Sequence, residues 1–463
     1  MIYKNLFSRA GYQKSLKTVD ACAKPLVLIP RPLGRGALSI LCVLFFSCMH
    51  IWAVDVSVKA QEHDKLKIKI ILVGKVNDNV QEIANIIQKD LEFSSQFQVV
   101  REESDSGIVR KKDITEYFDG DCRLGVFLSA TSRNSIDWRL YDLEYAQMVK
   151  GERYKIKGRD LHGWAHNISD AIWPNLTGEK GFFSTKIVFC KKINCGNKSD
   201  YKHVYVADYD GSNERLLVST PTINMTPRWN NDPKHPLIFY SEHTNKNVRL
   251  MVVDLKGRRK VASNFDGLNI LSTFSPDGKK FAYCASRGNG SCQIYFFDGE
   301  LKKLTSKGNN ISPTFADNGN TIYFCSDANS KCPQIYKYDL TQRGNANYTP
   351  ERILNSGFEV STTFSTVKNM LAYSKMVKGT MQIFVYNPVD NTHKQVTFGI
   401  GNKEECSWSP CGNYLLFSVQ KKSKSRLAVL NLLTKNMSFI TSAVDSCYYP
   451  HWSSFYDQFP YVA

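Results

Sequence analysis

LSTFSPDGKKFAYCASRGNGSCQIYFFDGELKKLTS, residues 271–306, reads as four short strands separated by turns. The first strand closes on Phe274. The turn Ser275-Pro276-Asp277-Gly278 follows, with Pro setting φ and Gly tolerating a positive φ. FAYCAS is then a second strand, QIYFFD (from Gln293) a third and LKKLTS a short outer fourth.

The same pattern recurs every 41–49 residues. TPRWNNDPKHPLIFYSE ends at Glu242, SPTFADNGNTIYFCSD at Asp327, STTFSTVKNMLAYSK at Lys375 and CSWSPCGNYLLFSV at Val419. Each has an aromatic in the first strand (Trp229, Phe274, Phe315, Phe364, Trp408), a turn, and a second strand rich in aromatics. RLMVVDL (from Arg249), QIYKYDL (from Gln334), QIFVYN (from Gln382) and RLAVLNL (from Arg426) fill the third position. A repeat of this length is a sequence signature of a ring or array of sheets. Four antiparallel strands with tight turns take about 40 residues, and one such sheet cannot bury both faces alone.

A further unit, FFSTKIVFCKK from Phe182 with VYVADYDGSNERLL from Val204, has no aromatic inner strand. The chain end supplies one: in YYPHWSS, Trp452 stands 44 residues after Trp408. A C-terminal strand that completes the first sheet closes the ring and leaves no open edge. An open β-solenoid would not need this permuted piece.

The 463 residues carry 60 Lys or Arg against 43 Asp or Glu, a formal charge of +17. Residues 1–36 hold seven basic residues and one Asp, and the chain then turns apolar from Ala37 to Ala53, the shape of a secretory leader cleaved near Ala53. A retained anchor is the other reading, but the stretch is interrupted by His50 and short for a bilayer span. Without the leader the charge is +11. Three of the thirteen cysteines (Cys22, Cys42, Cys48) would leave with it, and the even remainder suits an oxidising compartment.

Between the leader and the repeats the chain changes character. LKIKIILVGK (from Leu66), QVV (from Gln98), RLGVFLSA (from Arg123) and SIDWRLYDL (from Ser135) read as strands. DNVQEIANIIQKDLEFSSQF (from Asp78) and LHGWAHNISDAIWPNL (from Leu161) have the apolar spacing of helices. The expected fold class is α+β: an N-terminal mixed α/β domain followed by a six-bladed β-propeller closed by the C-terminal strand. The expected divisions are a signal peptide at 1–53, a mature N-terminal segment at 54–65, the α/β domain at 66–178 and the propeller at 179–463.

Three stretches carry a family resemblance: DLEFSSQF at 90–97, WRLYD at 138–142 and AHNISDAIWPNLTGEKGFFSTKIVF at 165–189. The last is the most specific; the SPDG and QIY signatures are shared more widely. On these residues the chain resembles the TolB family, periplasmic components of the Tol–Pal system of envelope integrity and cell division. The resemblance covers nearly everything after residue 66. It implies no catalysis and no cofactor, binding of the outer-membrane lipoprotein Pal at the mouth of the propeller channel, and contact with the inner-membrane protein TolA through the mature N-terminal segment. Residues 54–63 have no strong resemblance of their own to support that contact.

Loops leading into the innermost strands ring one mouth of a propeller channel. Asn224, Asn269, Asn310, Glu359 and Lys403 lie about five residues before each inner aromatic and are the polar candidates for partner binding there; Arg228 and His451, each just before a Trp, join them. Ordinary solvated loop residues would give the same pattern.

Cys190, Cys284 and Cys325 occupy one point of the second strand, and each is followed by another cysteine, Cys195, Cys292 and Cys332. The remaining repeats have Ser there and no cysteine in the next loop. Three hairpin disulfides would explain the pairing, as would three pairs of free thiols. Cys406 and Cys411 are a fourth candidate pair, and Cys122 and Cys447 have no evident partner.

The alternative function is a propeller hydrolase or lactonase with a metal in the channel. No G-x-S-x-G elbow, P-loop or dinucleotide fingerprint is present. His162 and His166 share a helical face at metal-ligand spacing, but no third ligand is near them in sequence, so packing of the helix on its sheet is the expected role. Asp208-Tyr-Asp-Gly-Ser-Asn is too short for a calcium-binding loop and reads as a turn. The basic residues are scattered, and KKSKSR (from Lys421) falls in a hairpin loop, which argues against nucleic acid.

Overall fold

The computed structural model describes residues 65–456, apart from 105–110, 133–134, 156–159, 194–200, 233, 288–289, 317 and 355–356. The expected leader and residues 54–64 lie outside the described residues.

The first part is a five-stranded sheet. Its strands are β1 (Leu66–Val73), β2 (Phe97–Ser104), β3 (Leu124–Ser132), β4 (Ser135–Asp142) and β5 (Gln147–Lys155), in the order β2-β1-β3-β4-β5. β1 is parallel to both neighbours, so the connection from β1 to β2 must cross over. Helix α1 (Asp78–Phe93) makes that crossover. It starts where Asn77 accepts from the Val80 N–H at 3.0 Å and buries Val80, Ile83, Ile86, Ile87 and Leu91 along one face. After a short helix α2 (Lys111–Thr115) and the β3–β5 meander comes helix α3 (Leu161–Thr177). Asp160 caps its start, and Gly178 ends it in the left-handed conformation, φ 76°.

The repeats form a β-propeller. Four sheets are free-standing and four-stranded, and begin at the inner strands Asn269–Phe274, Asn310–Phe315, Glu359–Ser365 and Asn402–Trp408. The other eight propeller strands form one larger sheet. It contains β6 (Lys186–Ile193), β7 (Tyr201–Asp208), β8 (Arg215–Val218), the four strands Ile223–Trp229, Leu237–His243, Val248–Asp254 and Arg259–Ser263, and the last strand of the chain. The expectation of six separate blades is corrected to that extent: Lys202 bridges Ile223 in parallel, and this single contact joins two hairpin systems. The last strand, Cys447–Trp452, pairs antiparallel with β6, with Trp452 opposite Ile187.

Each inner strand is broken at one equivalent point. Among the described residues Thr226, Leu271, Ser312, Ser361, Glu405 and Tyr449 have φ between 50° and 61°. The strand register shifts at the same place each time. Such a bulge sharpens the local twist, which lets several sheet edges converge on one axis. A side chain held at positive φ costs about 1–3 kcal/mol.

The α/β part and the propeller share a core. Phe93 of α1 packs edge-on against Tyr209 at 4.9 Å between ring centroids and lies 5.3 Å from Tyr414. Phe182 stacks on Phe183 at 4.5 Å and reaches Tyr414 and Trp452. Trp173 of α3 closes the cluster against Phe183 at 5.2 Å. All but Phe93 are buried, so the two parts meet through a dry aromatic joint.

Candidate functional site

The seven polar residues expected at one channel mouth are divided by the structure between the two ends of the inner strands. Asn224, Asn269, Asn310, Glu359 and Lys403 sit at the entry ends and are all buried. Their exposure to a partner is therefore corrected. They fasten each inner strand to the connection before it.

Asn224 Nδ2 donates to the Lys202 carbonyl at 2.7 Å and to Thr220 Oγ1 at 2.8 Å. Asn269 Nδ2 donates to the carbonyls of Val248 and Phe265, both at 2.8 Å, while its Oδ1 accepts from Ser263. Asn310 Nδ2 reaches Gln293 Oε1 at 3.0 Å and the Lys307 carbonyl at 2.9 Å. Lys403 Nζ donates to three successive carbonyls, of Phe398, Gly399 and Ile400. Each amide or ammonium thus gives donors to acceptors of the preceding connection and fixes where that connection enters the inner strand. Glu359 is the exception, because a carboxylate has no proton to give. Lys375 Nζ stands 3.4 Å away, neither carboxylate oxygen has a hydrogen-bond partner, and burial pushes the Glu359 pKa up to about 7 against the pull of Lys375.

Arg228 and His451 lie at the exit ends and are half-buried. They line a cavity of about 230 Å³ with Trp229, Phe274, Phe364 and Trp408. Thr273, Thr314, Thr363 and Ser407 line the same cavity. His451 Nδ1 accepts from the Trp229 backbone N–H at 3.2 Å, and Ser407 Oγ accepts from the Trp452 N–H at 2.9 Å. These contacts join neighbouring inner strands around the axis. Burial, with Arg228 adjacent, holds His451 well below the ordinary histidine range, so it is neutral near pH 7.

A second cluster lies at the joint of the two parts. His166 of α3 is buried between Asp90 of α1 and Asp208 at the end of β7. Its Nδ1 faces the Asp90 carboxylate at 3.0–3.1 Å, and Tyr209 Oη donates to Asp90 Oδ1 at 2.9 Å. Its Nε2 stands 3.3 Å from Asp208 Oδ2, within ion-pair distance but without hydrogen-bond geometry, and Lys186 pairs with Asp208 Oδ1. Burial opposes charge on His166, but Asp90 and Asp208 outweigh it and raise its pKa to about 10. Sequence spacing found His162 and His166 but not Asp208, which folding brings from 42 residues further along the chain.

The segment from Asp208 is a turn between β7 and β8, closed by Gly211 N to the Asp208 carbonyl at 2.9 Å. A Cβ on Gly211 would stand 2.0 Å from the Ile440 carbonyl oxygen, so only glycine fits.

The nine described cysteines, Cys122, Cys190, Cys284, Cys292, Cys325, Cys332, Cys406, Cys411 and Cys447, are all free thiols. The disulfides weighed above are not formed here, and Cys195 lies outside the described residues. Cys284 lies opposite Ile294 and Cys292 opposite Ser286, yet the two thiols are near enough to interact, whereas Cys325 lies opposite Ile335 and Cys332 precedes its strand. Cys406 Sγ turns to the Ser361 carbonyl and Cys411 Sγ to Ser409.

Residues 173–456 match the family model described as the TolB beta propeller domain. The Tol-Pal system protein TolB of Gluconobacter oxydans is 28% identical over 214 residues, 46% of this chain and 46% of that protein. Its namesake in Legionella pneumophila is 29% identical over 221 residues, 47% of this chain and 52% of that protein. The chain thus spans about half the length of the curated relatives it matches. The crystal structure of TolB from Acinetobacter baumannii superposes with a TM-score of 0.70 at 22% identity, covering 85% of this chain and 97% of that one, a likeness of fold.

Proposed function

The chain belongs to the TolB beta propeller family, and from that premise we propose that it is a non-enzymatic, periplasmic protein-binding component of a Tol–Pal system. In this reading the eight-stranded sheet serves as two blades, so that six surround the channel. A Pal-like outer-membrane lipoprotein docks at a channel mouth. Both curated relatives carry the name of that system.

The observation that carries the reading is the cavity at the exit ends of the inner strands. Its wall mixes flat aromatic surface with hydroxyls and the guanidinium of Arg228, a lining suited to a loop of another protein that bears an acidic or amide side chain. A hydrolase at this place is disfavoured, because the ring nitrogen His451 could use as a base already accepts from Trp229. The opposite mouth offers exposed Phe398 and Ile400 on the loop that Lys403 holds.

Capture of purified Pal by the mature chain tests the proposal. Arg228→Ala with His451→Ala should weaken capture at least tenfold while the paired change Phe398→Asp and Ile400→Asp leaves it intact. The reverse result would move the docking site to the entry mouth, and no capture by the unaltered chain would remove the Pal reading. A TolA-like inner-membrane protein is the second partner in this proposal, engaged through residues 54–65. Deleting them should abolish TolA binding and spare Pal.

A further inference from the structure

We propose that His162, His166 and Asp208 form a binding site for a zinc-type dication that pins helix α3 to the end of strand β7. This rests on the geometry of the joint and is independent of the partner reading. His162, His166 and Asp208 each offer one ligand atom, and these atoms all lie within 4.8 Å of one another. The His166 Nε2 to Asp208 Oδ2 separation is 3.3 Å. Two ligands held at about 2.0–2.1 Å on a tetrahedral ion stand roughly that far apart, about 3.3–3.4 Å. His162 Nδ1 is 3.9 Å from the same oxygen. Its half-buried side chain needs only a small movement to complete the triangle.

Two features point to a ligand rather than to packing alone. His166 Nε2 and Asp208 Oδ2 are buried atoms without a hydrogen-bond partner, and they stand 3.3 Å apart. The other ring nitrogen of His166 is held by Asp90, whose carboxylate is fixed in turn by Tyr209. A carboxylate on the far nitrogen of a ligating histidine is the arrangement that orients the ring and strengthens its donor atom. Two imidazoles and one carboxylate are a donor set that suits Zn²⁺, with water at a fourth position. Zn²⁺ takes the place of the proton on Nε2, which leaves to solvent. Lys186 stays on Asp208 Oδ1 and neutralises the oxygen the ion does not use.

The ligands come from both parts of the molecule, so a bound ion would cross-link them and add its binding free energy to the stability of the joint. The test is titration of the chelator-treated full chain with Zn²⁺, followed by calorimetry and by thermal unfolding. One ion per chain and a rise in Tm are expected. With Co²⁺ in place of Zn²⁺, the strong visible absorption of a four-coordinate site should appear. His162→Ala and His162→Gln should each weaken binding at least tenfold and leave the metal-free Tm in place. His235→Ala, which removes the exposed His235–Asp232 pair elsewhere, should change nothing. Absence of saturable binding at one equivalent, unchanged affinity in both His162 variants, or loss in His235→Ala would each overturn the proposal.

Discussion

The indole N–H of Trp452 donates to the hydroxyl of Thr185 at 2.9 Å, across 267 residues of chain. One bond thus ties the last described strand to the residue just before the first propeller strand. Its neighbours make the closure dry: Trp452 lies against Phe182, Tyr209 and Tyr414. Trp452→Ala is expected to destabilise the chain by about 3–5 kcal/mol, as deletion of a buried aromatic does. Thr185→Val, which leaves the indole N–H buried and unpaired, should cost about 1–3 kcal/mol. Denaturant unfolding measures both, and an unchanged midpoint for Trp452→Ala would deny the closure any energetic role.

The bulges in the inner strands make a prediction of the opposite sign. Ser361 is held at φ 59°, and its buried hydroxyl has no hydrogen-bond partner. Ser361→Gly removes both penalties at once and keeps the carbonyl that Cys406 contacts. A gain of about 1–2 kcal/mol in unfolding free energy is expected after the extra backbone entropy of glycine is subtracted.

Glu359 should make stability depend on pH. Its folded pKa, about 7, lies above the value of 4.5 for an unburied glutamate. Between those values the folded chain holds a proton that the unfolded chain has lost, so this contribution is present at low pH and disappears as pH rises to 7. Its size is about 2–4 kcal/mol, at 1.36 kcal/mol per pH unit. Glu359→Gln should flatten the decline. Glu359→Asn, which installs the amide of the sister strands, should stabilise the chain at pH 7.5. Thermal unfolding from pH 4.5 to 8 checks both, and an unaltered slope in Glu359→Gln would exclude Glu359 as the source.

The link between the two parts is sterically closed at Gly181. A Cβ there would lie 2.5 Å from the Asp170 Cα of helix α3, and the Asp170 carboxylate accepts from the backbone N–H groups of Phe183 and Ser184 at 2.7 and 3.0 Å. Gly181→Ala should cost about 1–3 kcal/mol through forced displacement. Limited proteolysis should then cut near residue 180 in the variant and not in the parent.

The repeat was legible in the chain because strand, turn and strand are local: the period, the inner aromatics and the SPDG turn can be read within 40 residues. Even the closing strand could be found, because Trp452 keeps the spacing of Trp408. The roles of Asn224, Asn269 and Asn310 could not. Which carbonyls need a donor depends on where the preceding connection lies, and that is settled only when the sheets pack. The state of the cysteines could not be read either, since the spacing that suits hairpin pairs suits neighbouring free thiols equally well.

The sequence by itself determined the strand repeat and the strand that closes it, since hydrogen-bonded hairpins and apolar alternation act between near neighbours. Only the tertiary structure decided what meets at the joint and around the axis. Asp90, His166 and Asp208 belong to three separate elements, and burial in a common core is what places their charges within reach of one another.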